Sequence, residues 1–374
     1  MCFFKKHHSP YPRGQTYAPT AFRIHIRRVY FCNLYLDLRN LTIPGTTLKG
    51  LRVQQSVFDT DVMPDETIYP SSPSGRPQST ASATTCRVNP EGVETIEDLL
   101  AVEEPLEIQL IFGPLDARRT KSITVTMRTP GHDHELAAGF LLTEGVLEDS
   151  AQILRIDFLA GATPPDDSPN SALPASTPGN IVRVELAADV EVRTATLERN
   201  FYTTSSCGIC GKASLLALRS VCPPRRHNDF SISSETLYAL PESLRTAQQI
   251  FAVTGGLHGA GLFTAQGELV LSREDVGRHN AVDKLLGAQF LTDAVPLRDR
   301  VLMLSGRASF ELLQKAVMAG IPMVAAVGAP SSLAVQVARD FDITLIGFLR
   351  DRHFNVYHGI EHITRHKAHT EVSA

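Results

Sequence analysis

No apolar run in the 374 residues approaches the ~20 needed to cross a bilayer, so a membrane is not among the expected partners. Nor is there an excess of positive charge. Lys and Arg number 36 against 40 Asp and Glu, a net charge of −4, so nothing global points to nucleic acid. Six cysteines are too few for a disulfide scaffold in a chain of this length, and only Cys207 and Cys210 are close together. That fits a reducing cytoplasm, where a close pair is more often catalytic or metal-binding than structural. Neither a Walker loop nor a G-x-G-x-x-G turn is present, which disfavours an ATPase or a dinucleotide dehydrogenase. What is present, 43% hydrophobic and 20% charged residues, is enough for a proper core, and the length allows two domains.

The chain is not uniform. Its first sixty residues carry nine Lys/Arg and two acids, Asp37 and Asp59. An Arg-rich, acid-poor start can be a transit peptide. The plainer reading is a start codon placed too far upstream, with Met63 a candidate true start, because no clean amphipathic helix emerges. From Pro70 to Pro90 the Pro/Ser/Thr-rich stretch reads as a flexible linker in which Cys86 is incidental. Residues 1–90 are therefore expected to be a poorly ordered basic extension and linker, with order beginning near Val93.

Residues 91–200 read as a smaller α+β domain with an antiparallel sheet. LEIQLIF and SITVTMR alternate as strands. Pro130 and Gly131 end the second, and a helical stripe runs from Glu135, with His132 and His134 solvated at its mouth. A Pro/Ser/Asp-rich loop over 161–179 precedes the strand NIVRVELAADVEV. Residues 201–374 alternate differently. QQIFAVTGGLHGAGLFTAQGELVLSRED reads as short strands with Gly-rich turns. GRHNAVDKLLGAQFL, SFELLQKAVMAG and SSLAVQVARDF read as helices, and RVLMLS, PMVAAV and ITLIGFLR as buried strands. Ser309 is a plausible cap and Gly320 a helix end. This alternation predicts a largely parallel sheet covered by helices, a three-layer α/β fold.

Ligands in open α/β sheets bind beyond the carboxyl ends of strands. Those ends carry Ser305, Gly306, Arg307 and Ser309; Gly328 and Ser331; and Phe348, Leu349, Arg350, Asp351, Arg352 and His353. Two of these turns open helices, where backbone N–H groups favour anions, and Arg307 and Arg350 can add charge-assisted bonds to a phosphate. Ordinary helix capping needs the same Ser and Gly residues. Two such turns with arginines at one edge still favour a phosphate or nucleotide site.

The cysteine pair leaves several chemistries open. Structural zinc takes four ligands, and there is no second C-x-x-C. No H-x-E is followed by the P-C-x-x-C of a zinc nucleobase deaminase; Ser206, not proline, precedes Cys207. A thioredoxin-like redox pair starts its helix at the cysteines, in different surroundings. Gly208 and Gly211 loosen the backbone, a helical stretch is expected from about Lys212, and its positive end favours thiolate. This supports reactive cysteines without choosing sulfur transfer over redox cycling. A reversible Cys207–Cys210 disulfide would mark a thiol-disulfide oxidoreductase, and bound zinc with unfolding by chelator a structural metal module.

SSCGICGKASL, TGGLHGAGLF, REDVGRHNAVDKLLG, LSGRASFELLQKAVMAGIPMVAAVGAPSSLAV and GFLRDRHFNVY occur in an order that resembles the FdhD family, the formate dehydrogenase accessory sulfurtransferases. AVEEPLEIQL and RTPGHDHELAAGFLLTEGVL are similar to its amino-terminal part. The resemblance covers about residues 93–358 and departs at Gly328, where serine is expected more often. It implies a second domain resembling cytidine deaminase without its zinc chemistry. It implies a homodimer that takes persulfide sulfur from a cysteine desulfurase. That sulfur goes to the molybdenum or tungsten bis-(molybdopterin guanine dinucleotide) cofactor of formate dehydrogenase, the client, and GDP is a fragment ligand. It implies that Cys207 bears the persulfide, that Cys210 assists loading or release, and that 348–353 bind the cofactor, whose diphosphates meet the turns at Ser305 and Gly328. His258 either relays a proton or caps a turn. Asp275, Arg278, His279 and Asp283 line the site or form a buried polar network. Lys284 and Lys315 are expected to be solvated.

Overall fold

The computed structural model describes residues 79–159, 180–192, 218 and 229–364, all within one compact unit, Pro70–Ala374. The basic start of the chain, Met63, the loop at 161–179, Cys207, Cys210 and Lys212 lie outside the described residues.

The stretch expected to be linker is a strand from Thr80 onward. β1 (Thr80–Asn89) pairs antiparallel with β2 (Gly92–Ala101) as an unbroken ten-residue hairpin. The prolines that make the segment look loose, Pro70, Pro73 and Pro77, precede the strand; Pro90 falls in its turn. There the Asn89 side chain accepts from the N–H groups of Glu91 and Gly92 at 3.1 and 3.0 Å, and Gly92 takes φ 147°, which favours glycine. The β-forming Thr84, Thr85 and Val88 fall on the strand.

β3 (Glu104–Phe112) and β4 (Arg119–Arg128) follow, then α1 (Asp133–Thr143), β5 (Ile153–Leu159) and β6 (Ile181–Leu186). The sheet order is β4-β3-β6-β5. It is mixed rather than antiparallel, because β3 and β6 run parallel. Alternation along β3 turns Leu106, Ile108 and Leu110 inward, onto Leu136 and Leu141 of α1 and Val182 and Val184 of β6.

The next segments are β7 (Ile232–Ser233), α2 (Ser234–Ala247), α3 (Gln249–Thr254), β8 (His258–Phe263), β9 (Leu269–Asp275), α4 (Arg278–Leu291) and β10 (Val301–Leu304). After them come α5 (Phe310–Met318), β11 (Met323–Ala326), α6 (Ser332–Asp340), β12 (Thr344–Arg350), β13 (His353–His358) and β14 (Ile363–Thr364). A six-stranded sheet runs β13-β12-β11-β10-β8-β9. Its three central strands are parallel, and β8, β9 and β13 are added antiparallel, so the expectation of a largely parallel sheet holds for its centre alone. Every residue of β10 and β11 is buried, as in strands covered on both faces. Leu285, Leu312 and Val337 of α4, α5 and α6 cover one face; Leu237, Leu240 and Leu244 of α2 cover the other with Met303, Met323 and Ile346. Three layers result.

Two expectations about this region are corrected. Gln249–Thr254 is helical, ending on Gly255 at φ 66°, the glycine stop of a short helix rather than a turn between strands. Lys284 and Lys315 are buried, at 1% and 5% exposure. Lys284 Nζ lies 2.7 Å from Asp275, and Lys315 Nζ 2.9 Å from Asp283. They sit at a helix crossing too close for side chains: a Cβ on Gly139 of α1 would lie 1.8 Å from the Asp283 carbonyl, and one on Gly287 of α4 1.8 Å from that of Glu135. Both lysine ammoniums end on buried carboxylates instead of reaching water.

Candidate functional site

The parallel strands deliver three chain reversals to one edge of the sheet, and backbone hydrogen bonds lace them together. Ser305 N–H donates to the Gly259 carbonyl at 3.0 Å, Gly328 N–H to Gly306 at 2.9 Å, and Phe348 N–H to Gly328 at 3.1 Å. The small residues let these turns approach closely. A Cβ at Gly306 would meet His258 Nδ1 at 3.3 Å, and one at Gly328 would meet the Gly306 carbonyl at 3.0 Å. The expected turns around Ser305 and Gly328 and the start of 348–353 are thus brought together.

Individual residues divide. Ser305 Oγ accepts from Gly259 N–H at 2.8 Å. Ser331 caps α6, accepting from Ala334 N–H at 3.2 Å, so ordinary capping is the role its geometry shows. Ser309 precedes α5 without a side-chain cap and lies 3.4 Å from His279 Nε2. Burial pushes the Glu311 carboxyl up, but hydrogen bonds from its own N–H and from Ser309, with His279 and Arg278 nearby, outweigh it and lower the pKa. A carboxylate therefore already occupies the start of α5, which weakens that turn as an anion seat.

The 348–353 stretch is a strained strand end and turn. Phe348, Asp351 and Arg352 have φ of 55°, 50° and 54°, a left-handed conformation that costs non-glycine residues roughly 1–2 kcal/mol each. Such clustering is characteristic of functional loops. Leu349 is fully buried in the core beneath α2 and is corrected from a contact residue to a support. Arg352 pairs with Glu235 at 3.0 Å and lies 5.1 Å over the Tyr238 ring, which leaves it partly committed. Arg307, Arg350, Asp351 and His353 are exposed. Gly306 is half-buried behind Arg307.

Beside this edge, on the α2 face, lies a cavity of about 440 Å³ lined in part by Arg245, Gln248, Phe251, His258, Ser305 and Val327, within the ~300–1,000 Å³ usual for small-molecule sites. Of the candidates named from the sequence, Ser305 and His258 are the described residues that line it. Gln248 is 3% exposed, and its Nε2 has no hydrogen-bond partner among the described residues, a donor available to a ligand carbonyl. Arg245 lies 3.9 Å over the Phe251 ring. The sequence pattern of α3 suggested strands, and α2 was not singled out, although Leu237, Leu240 and Leu244 keep helical spacing after Ser233, which caps α2 through Thr236 N–H at 3.0 Å.

His258 enters the cavity as a neutral ring: burial, then the Arg278 and Arg307 charges, lower its pKa against the opposing pull of Asp275. Burial followed by Lys315 and Arg278 takes His279 down to about 4. Behind them Asp275 accepts from Gly277 N–H at 2.8 Å, Thr129 N–H at 3.2 Å and Asn280 at 3.1 Å, and burial raises its pKa despite Lys284. Asp275 and Asp283 thus belong to buried polar networks. Arg278 stays at the edge, acting on both histidines through its charge. No cluster of three or more potential metal ligands occurs among the described residues, and none of their helices is long and apolar enough to cross a membrane.

Residues 101–364 match the model of the FdhD/NarQ family. A sulfur carrier protein FdhD of Streptomyces avermitilis is 51% identical over 280 residues, covering 73% of this chain and 92% of its own. One from Mycobacterium tuberculosis is 47% identical over 287 residues, covering 76% and 99%. A crystal structure described as a formate dehydrogenase accessory protein, from Desulfotalea psychrophila, superposes with a TM-score of 0.55 at 22% identity, over 76% of this chain and 99% of that one, which supports the fold. The chain belongs to the FdhD/NarQ family.

Proposed function

We propose that this chain is a sulfur carrier for the maturation of formate dehydrogenase, working through a persulfide on Cys207 in the cytoplasm as a homodimer. The observation that carries this reading is the match of most of the chain to relatives named sulfur carrier proteins, joined to the C-x-x-C pair at Cys207 and Cys210. In loading, the Cys207 thiolate attacks the outer sulfur of a cysteine desulfurase persulfide. The new S–S bond forms on Cys207, the old one breaks, and the desulfurase cysteine leaves as a thiolate. Delivery to a bis-(molybdopterin guanine dinucleotide) molybdenum or tungsten cofactor as a sulfido ligand lowers that sulfur by two electrons, which a dithiol-class reductant supplies. Cys210 assists loading or release.

The sheet edge is the proposed seat of the cofactor's guanine nucleotide part, with GDP as its fragment. Support comes from the strained turn at 348–352, from exposed Arg350 and Arg307, and from the adjoining cavity with its unpartnered Gln248 donor. Neutral His258 and His279 can accept hydrogen bonds there without adding a positive charge beside Arg278 and Arg307.

Cells carrying only the Cys207→Ala chain are the test. Client formate dehydrogenase is expected to accumulate without activity, and Cys210→Ala to be milder. Normal client activity with Cys207→Ala overturns the persulfide reading.

A further inference from the structure

The β1–β2 hairpin stands apart from both larger sheets. Beyond β2, β1 has no strand partner among the described residues, and all twenty strand residues of the hairpin are exposed or half-buried. Its anchors are at the base: the Ser79 hydroxyl donates to the Pro130 carbonyl at 3.0 Å, and Ala101 lies beside Gly256. At the far end Val88 and Val93, paired across the strands, are 74% and 69% exposed. A two-stranded ribbon in water is marginal; three or more strands, or a packed face, are needed. α3 packs against β2, and β1 keeps the free edge that an added strand could use.

Its two free edges differ in chemistry. β2 is guarded by Glu94, Glu97 and Asp98, with Glu91 in the turn, the acidic protection that natural edge strands use against pairing. β1 carries no charge, proline or bulge from Thr80 to Cys86, and its register is unbroken. Laying β2 against a second β2 would set carboxylates against carboxylates. Laying β1 antiparallel to a second β1 about Ala83 sets Ser82 against Thr84 and Ala81 against Thr85, where hydroxyl pairs across strands are favourable. An antiparallel strand is its own complement about a twofold axis, so the fitting occupant is the same strand of another molecule.

We propose that β1 pairs with β1 of a second copy of this chain, making a four-stranded sheet β2-β1-β1-β2 whose acidic strands lie outermost. This deepens the homodimer of the proposed function by naming the contact.

Sedimentation of the full chain tests it. Wild type is expected as a dimer. Ala83→Lys/Thr85→Lys is expected to weaken the dimer at least tenfold, because like charges gather across the twofold. Within its own hairpin Lys at position 83 faces Asp98, so the ribbon itself is retained. Glu97→Lys on β2 is expected to leave the dimer intact. A monomeric wild type overturns the proposal, as does a lysine pair that dimerises like wild type, or a reversal of the two variants' effects. Sulfur loading of Cys207, read by mass on the same samples, keeps the two readings separate. A wild type that dimerises through β1 yet takes no sulfur supports the pairing and overturns the carrier.

Discussion

Charged residues occupy two regions of this molecule on opposite terms. At the crossing of α1 with α4 and α5 they are buried and committed. Lys284 meets Asp275, and Lys315 meets Asp283 with Thr143 at 2.9 Å. Nearby Arg128, fully buried, holds Asp133 through two bonds of 3.0 and 3.1 Å and Asn180 at 2.9 Å. Burial disfavours Lys315's charge, but Asp283 and Glu144 outweigh it and its pKa is raised. Glu144 itself is raised by burial, which Lys315 only partly offsets. At the carboxyl edge of the large sheet Arg307 and Arg350 are exposed. The first set fixes how the two halves of the fold meet; the second is available to a ligand. Residue type does not separate the two regions. Helix proximity does, because Gly139 and Gly287 let the backbones touch and strand the lysines inside.

Breaking a committed pair gives the largest effect. Lys284→Met leaves Asp275 buried without its cation and is expected to cost about 3–5 kcal/mol of unfolding free energy in urea titration. Lys284→Met with Asp275→Asn recovers part of the loss. A change below about 1 kcal/mol in the single variant would place these charges in the uncommitted class.

Acid titration probes the same region. Burial pushes the Glu135 carboxyl up, but Arg273 at 2.6 Å and His132 bring it down from 4.5 to about 2. The folded pKa lies below the unfolded one. This group's contribution, about 3 kcal/mol, is therefore complete above pH ~4.5 and is lost as pH falls towards about 2. Melting curves of wild type and Glu135→Gln are expected to differ at pH 7 and to converge at low pH; equal differences throughout would contradict this.

The exposed edge is expected to respond in binding instead. Arg350→Ala should weaken GDP by about 1.5–3 kcal/mol in calorimetric titration while moving stability by no more than ~0.5 kcal/mol. Arg307→Ala should act in the same direction, less strongly. GDP binding equally well to wild type and both variants would place the phosphate site elsewhere. The smallest effect concerns strain: Asp351→Gly relieves a left-handed residue on an exposed turn and should raise stability by about 0.5–1 kcal/mol. A loss would show that the Asp351 side chain holds the turn.

Much of the fold was legible because periodicity reports burial directly. β3 announces itself by alternation, and β10 and β11 by unbroken apolar runs that only a covered strand can carry. The three turns at the sheet edge followed from topology alone. What periodicity could not show was contact between distant segments. Lys284 and Lys315 look solvated in any helical projection until Gly139 meets the Asp283 carbonyl. The β1 strand hid behind the prolines that precede it. Arg245 enters the site from the end of α2 and Gln248 from the junction with α3, a helix too short to display a period. Cys207 and Cys210 were found by spacing, and their assignment to sulfur transfer came with resemblance, since two thiols three residues apart serve several chemistries equally.

The most direct measurement is the mass of Cys207 after the chain is incubated with a cysteine desulfurase and cysteine. A gain of one sulfur on Cys207, absent from Cys207→Ala and removed by a dithiol reductant, is the predicted result. An unmodified Cys207, with a Cys207–Cys210 disulfide that turns over dithiols or with a bound zinc in its place, would contradict the carrier.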